Sequence, residues 1–337
     1  MTSTEREFIT GLPKAELHLH IEGTLEPELK LRLAQRNGVD IGQTTVEQVQ
    51  ASYEFHDLTS FLAVYYPAMN VLVTEDDFYD LAMDYLRRAA ADGVVHAEIF
   101  FDPQAHTSRG VSFKTVIDGL WRAVQDAPSL GVDAALIMCF LRDMSAESAM
   151  ETLTASAPYR DRIVGVGLDS DERDNPPEKF AEVFARAREL GYRLTMHCDI
   201  DQVGSIDHIR TVLHTIGVER IDHGTNIVED PALVAEARER GIGFTCCPVS
   251  NSFVTADMKG DEIVQLLHDG VKVSIASDDP AYFGGYVVDN MLALAEKKQL
   301  TRDDLALLAR NSLEISWVDD GKREVLLARL DAYLSEQ

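Results

Sequence analysis

No stretch of this 337-residue chain runs to about 18 apolar residues without interruption, so nothing in it reads as a membrane-spanning helix. The opening residues, MTSTEREFITGLPKAELHLHIEGTLEPELK, also lack the apolar block of a secretion signal. Cysteine is scarce. Cys139, Cys198, Cys246 and Cys247 show no C-x-x-C spacing, and the adjacent pair would need a strained bridge, which argues against a disulfide framework and a cysteine zinc site. Basic residues are few: 31 Lys plus Arg face 57 Asp plus Glu, a net charge of −26. That excess repels phosphate backbones and anionic lipid alike, so neither a nucleic-acid polymer nor a membrane surface is an expected partner. A cytoplasmic location is expected. Low-complexity tracts, Pro- or Gly-rich linkers and short repeats are missing too, so residues 1–337 read as one domain. Oligomeric state leaves no trace in the sequence.

What the chain does have is a recurring unit: a short apolar run rich in β-formers, a turn, then a longer segment with helical spacing. The runs are AELHLHI from Ala15, VVHAEIFF from Val94, VDAALIMCFL from Val132, RIVGVGLD from Arg162, RLTMHCD from Arg193, RIDHG from Arg220, IGFTCCP from Ile242 and VKVSIASD from Val271. Between them lie helical patterns such as FAEVFARARELG and ALVAEARERG, several of them ending in Gly as helix C-termini commonly do. Repeated strand-then-helix units imply parallel pairing with right-handed crossovers. Eight of them predict an α/β fold, a (β/α)8 TIM-type barrel. The mainly helical stretch from Ile21 to Gly93 is then an insertion at the barrel mouth, and Thr301 to Gln337 supplies helices that close the outer ring.

In such a barrel the reactive side chains stand at the C-terminal ends of strands. Strand one ends in His18-Leu19-His20, whose alternation puts both imidazoles on one face. Strand five ends in His197, strand six in His223, and strand eight in Ser277-Asp278-Asp279-Pro280. Burying so many imidazoles and carboxylates at one end without partners is unfavourable, and together they form a metal-site pattern. Imidazoles with a carboxylate suit zinc, with iron or manganese as second choices. Strand four, RIVGVGLDS, has no Lys to bridge a metal pair, so one ion per chain is expected. A metal there lowers the pKa of a coordinated water towards neutrality. His96 sits inside a strand, and His56, His106, His208, His214 and His268 fall on predicted helices or loops, as surface or structural residues.

The motifs LPKAELHLHIEGTLEPE (Leu12–Glu28), RIDHGTNIVED (Arg220–Asp230), CPVSN (Cys247–Asn251) and SDDPAYFGGY (Ser277–Tyr286) resemble the adenosine and adenine deaminase family of the amidohydrolase superfamily. The match spans nearly the whole chain, in order. Glu22 and the TLEPE continuation resemble the adenine branch more than the adenosine branch, which typically has Asp at that position. The resemblance implies that His18, His20, His197 and Asp278 hold zinc. It implies that His223 supports the attacking hydroxide, that Asp279 bonds purine N7, and that the segment ending at Ser170 meets N3 through its main chain. It places Phe61 and Tyr65 on a helix over the pocket and Glu22 among the substrate-binding residues. The implied reaction is adenine plus water to hypoxanthine plus ammonia, in purine salvage or catabolism.

One departure stands out. The family normally has His-x-Gly-Glu on strand five, its Glu protonating N1, whereas this chain reads His197-Cys198-Asp199-Ile200-Asp201-Gln202. Ile200 cannot transfer a proton, a step worth about 10²- to 10⁴-fold. Asp199 and Asp201 are the replacement candidates, each one methylene shorter than Glu. The alternatives are a barrel hydrolase of altered specificity, for an N6-substituted purine, a modified nucleoside or another amino heterocycle, and a noncatalytic purine-binding homologue.

Overall fold

The computed structural model describes residues 3–337 apart from 203 and 256. Eight parallel strands follow one another in chain order: β1 Lys14–His20, β2 Val94–Phe101, β3 Asp133–Leu141, β4 Ile163–Asp169, β5 Arg193–Cys198, β6 Arg220–His223, β7 Gly243–Cys246 and β8 Lys272–Ile275. Each falls within its apolar run, save that β1 starts one residue earlier at Lys14, and helices intervene, so the expected (β/α)8 barrel is the observed architecture. Burial on both faces explains why these strands read as nearly continuous apolar runs. The ladder between β4 and β5 is short, pairing Gly165 with Arg193 and Val166 with Leu194. Closure comes from an isolated bridge between Leu19 and Asp278. There the His20 N–H donates to the Asp278 carbonyl at 3.0 Å and the Asp278 N–H to the His18 carbonyl at 3.1 Å. β8 is shorter than its apolar run and stops at Ile275, so Asp278 stands on the segment that sews the barrel shut.

The insertion after β1 forms the helices Pro27–Asn37, Val46–Ala51, Leu58–Ala68 and Glu75–Ala91, as expected. Leu58–Ala68 starts on a capping box in which Asp57 and Ser60 satisfy each other's backbone N–H groups. The last segment gives the helices Arg302–Glu314 and Asp320–Ser335, the first packing on β8 and β1. Among the described residues no helix is long and apolar enough to cross a membrane.

Inside the barrel, Phe100, Ile137, Cys139 and Trp317 form the floor. A Cβ on Gly165 would lie 2.3 Å from Trp317 Cζ3, so only glycine lets that indole in. Below it Arg220 and Glu98 pair at 2.6 Å, both fully buried, with the guanidinium 4.1 Å from the Trp317 ring. His96 is structural, its ring nitrogens 2.6 Å from Asp133 and 3.2 Å from Glu98. All four cysteines are free and buried.

Candidate active site

At the C-terminal end of the barrel, His18 and His20 of β1, His197 of β5 and Asp278 bring one ligand atom each within 4.8 Å of one another. His18 Nε2 lies 3.3 Å and His20 Nε2 3.5 Å from Asp278 Oδ1, and the Nε2 atoms of His20 and His197 are 3.1 Å apart. Each ring has a carboxylate or hydroxyl on its far nitrogen. His18 Nδ1 meets Thr245 Oγ1 at 3.0 Å, His20 Nδ1 meets Asp169 at 3.4 Å, and His197 Nδ1 faces Asp222 at 3.5 Å. Such outer partners fix the tautomer and aim the inner nitrogen. Ser250 donates to Asp278 Oδ2 at 2.6 Å, and His223 Nε2 lies 3.6 Å from that same oxygen. His18 Nε2 is buried without a hydrogen-bond partner. Three converging imidazoles, one carboxylate and an orphaned nitrogen fit a divalent metal ion.

The electrostatics agree with a cation at this point. Burial alone would lower His20, but Asp279, Asp169 and Asp278 raise it to about 10. Burial would likewise push the Asp278 carboxyl up, yet His18, His223 and His20 hold it well below the usual carboxylate range. Burial, aided by His18, takes His223 down to about 4, which leaves a neutral imidazole at physiological pH. Asp278, His223 and Ser170 have φ of 64°, 57° and 72°, a left-handed region that non-glycine residues seldom occupy and that concentrates at functional sites.

Above the cluster lies a cavity roofed by Phe61, Leu62 and Tyr65 of the helix Leu58–Ala68. Asp279, Ser170, Asp199 and Ile200 also line it, so five expected contact residues (Phe61, Tyr65, Ser170, Asp199 and Asp279) converge on one space. A Cβ on Gly23 would fall 2.1 Å from Asp279 Oδ1, so glycine there lets Asp279 approach. Two expected residues stand elsewhere. Asp201 is half-buried outside the cavity wall, 3.4 Å from Arg173 and bonded to Gln202. Glu22 is fully buried behind that wall, where Oε1 accepts the Asp102 N–H at 3.2 Å and lies 2.8 Å from His106 Nε2. His106, from the group read as surface or structural, is structural.

Asp199 is held by a reciprocal clasp. Its N–H donates to Glu172 Oε2 at 2.6 Å while its Oδ2 accepts the Glu172 N–H at 3.2 Å. Glu172 is gripped in turn by Arg142 at 3.3 Å and His208 at 2.8 Å, and Arg142 donates to the His197 carbonyl at 3.0 Å. Burial first, then the Glu172 charge, pushes the Asp199 carboxyl well above its usual range.

Sequence reasoning passed over Asp102, Asp169, Tyr66, Ser250 and Asn251, which all line the cavity. Asp169 closes β4 and Asp102 follows β2 directly, so the strand-end rule pointed at both. A search for imidazoles did not weigh them.

A family model described as adenosine deaminase matches residues 13–333. An adenine deaminase of Cupriavidus metallidurans is 50% identical, over 97% of this chain and 93% of its own. The crystal structure of an adenine deaminase from Arthrobacter aurescens has a TM-score of 0.92 at 43% identity, covering 96% of this chain and 99% of that one. An amidohydrolase from Burkholderia ambifaria, solved with bound zinc, has a TM-score of 0.88 at 28% identity, covering 100% of this chain and 95% of that one. With the cluster and cavity at the expected end of the barrel, the chain belongs to the adenosine deaminase family, as a metal-dependent hydrolytic deaminase of the amidohydrolase superfamily.

Proposed function

We propose that this chain is a zinc-dependent adenine deaminase, converting adenine and water to hypoxanthine and ammonia. The observation that carries the reading is the cavity itself: three imidazoles and a carboxylate at its base, with Asp199 and Asp279 on its wall and aromatic rings over it. Two adenine deaminases and a zinc-bound amidohydrolase among the similar proteins support the choice of base and metal.

Zinc would be held by His18, His20, His197 and Asp278, and when bound it supplies an acidified water at neutral pH. Hydration of the ring at C6 would break its aromaticity, so the ring nitrogens must be held and protonated as charge develops. Asp199 gives its proton to N1, Asp279 bonds N7, and the Ser170 main chain meets N3. His223, neutral and beside Asp278, orients the attacking water. Phe61 and Tyr65 cover the base and keep bulk water out. Asp201 takes no part, and Glu22 acts on the site through Asp102 and His106 rather than by touching substrate.

The test is ammonia release by metal-analysed protein offered adenine, adenosine and several N6-substituted purines. Adenine is expected to be the best substrate, with about one metal ion per chain. Asp278→Ala should lose both metal and turnover. Full activity in that variant would sink the ligand set, and preference for another amine would sink the substrate.

A further inference from the structure

The steps assigned above leave one cavity-lining carboxyl without a task. Asp169 lies 3.4 Å from His20 Nδ1, whereas Asp102, with an oxygen within 4.8 Å of both groups, makes no ion pair with that ring. Its residue is 2% exposed, its Oδ1 has no hydrogen-bond partner, and its side chain makes no cap bond to the helix Pro103–Thr107 that it precedes. A buried carboxyl oxygen stripped of water and given no donor is unfavourable. On a cavity wall it marks where the N–H or O–H of a ligand belongs.

The order of groups round the rim says which donor. The strands succeed one another in chain order, so Asp102, after β2, stands between Asp279, after β8, and Ser170, after β4. On the perimeter of a purine, N9 stands between N7 and N3. With N7 at Asp279 and N3 at Ser170, N9 faces Asp102. Burial first, then the Asp169 and Glu22 charges with Asp279 behind them, push the Asp102 carboxyl well above its usual range, which fits a position among these acids on that wall.

We propose that Asp102 accepts the N9–H of a free purine base and thereby makes the enzyme discriminate against purines substituted at N9. An N9-substituted purine has no hydrogen there and sets a carbon against the buried oxygen. Sites built around a hydrogen bond reject analogues lacking it by far more than apolar pockets do. The inference rests on the adenine reading and on the orientation assigned with it.

The experiment measures kcat/KM for adenine and 9-methyladenine with wild-type protein, Asp102→Ala and Asp102→Asn, metal content being checked in each. Wild type should prefer adenine by about 10³-fold or more. Asp102→Ala should lose about 10- to 100-fold on adenine, as expected when a buried N–H is left without its acceptor. It should lose nothing on 9-methyladenine, so the preference collapses. Asp102→Asn keeps shape and one acceptor oxygen and should fall between, and it provides the comparison if the Ala variant does not fold. Equal losses on both substrates, or an unchanged preference, would overturn the assignment while leaving the adenine reading intact. A wild type that handles both bases equally would do the same. A wild type that turns over neither would overturn the adenine reading, and this proposal with it.

Discussion

Replacing Asp199 by Asn keeps the outline of the side chain and removes the proton it is proposed to give. The clasp survives the change: the amide oxygen can still accept the Glu172 N–H, and the residue's own N–H still reaches Glu172 Oε2. The perturbation therefore falls on chemistry rather than on folding. A positioned general acid contributes about 10²- to 10⁴-fold, or about 3 to 5 kcal/mol of barrier at 1.36 kcal/mol per decade. The loss should appear in kcat with KM changed little, because proton transfer to N1 accompanies the transition state and not binding. Asp201→Asn, on a side chain paired with Arg173 outside the cavity, should change kcat by less than about threefold. The pH profile adds a second readout. Burial and the Glu172 charge hold the Asp199 carboxyl well above its ordinary value, and a general acid works only while protonated. Wild-type kcat should fall as pH rises through that raised value, and the residual rate of Asp199→Asn should lack that limb. The assay is the loss of adenine absorbance followed across pH. If Asp201→Asn loses more than Asp199→Asn, or if both retain near wild-type kcat, the relocated acid is refuted.

Other consequences are equally direct. Arg220 pairs with Glu98, both fully buried, and the Glu98 carboxyl is held down to about 2, since Arg220 and His96 outweigh its burial. Its ordinary value is 4.5, so this stabilisation is complete above that pH and disappears as pH falls through about 2. Glu98→Gln should lose about 3 to 5 kcal/mol of stability at neutral pH and much less near pH 2, by denaturant unfolding at both; equal losses would refute the pairing. Asp222 accepts from Thr195 and Thr245 at 2.7 Å each and faces His197 Nδ1. Asp222→Asn should weaken metal binding about 10- to 100-fold in competition with a chelating dye, and unchanged affinity would remove its orienting role. Gln299 ends the helix Val287–Lys298 in the left-handed region at φ 55°. Gln299→Gly should stabilise by about 1 kcal/mol and raise Tm by a degree or two, whereas a lower Tm would show that the amide side chain outweighs the strain.

The fold was legible because a parallel barrel is built from strands buried on both faces, and that leaves an apolar run at every strand. The cluster of His18, His20, His197 and Asp278 was legible for a related reason. Within β1 the chain is extended, so His18 and His20 share a parity and reach the same space, and the ends of β5 and β6 offered single imidazoles with no competing neighbour. The helix over the pocket was implied by the family resemblance, which placed Phe61 and Tyr65 there; their i, i+4 spacing alone would have fitted a core helix equally well. The barrel's seam, by contrast, is long-range, since the backbone of His18 and His20 bonds the backbone of Asp278 from the far end of the chain.

Parity stops working where the strand stops, and that is where the remaining chemistry begins. β5 ends at Cys198, so Asp199 and Asp201, equivalent in an extended chain, part company in the loop. Which one turns inward is decided by Glu172, 27 residues away, whose backbone and side chain both close on Asp199. The loop carrying Glu172 is itself set by Ser170 in the left-handed region, a conformation no spacing rule predicts for serine. Asp102 and Asp169 pose the same difficulty from the other side. Each is one carboxylate at one strand end, indistinguishable in sequence from a capping residue, and becomes informative only when the closed barrel sets them on one wall and leaves the Asp102 oxygen without a donor. Substrate recognition in this fold is thus written in contacts between loops. Imidazoles and a carboxylate can stay at fixed strand positions while a loop carboxyl changes place, because the loop's hydrogen bonds, not the strand's register, decide which carboxyl faces the cavity.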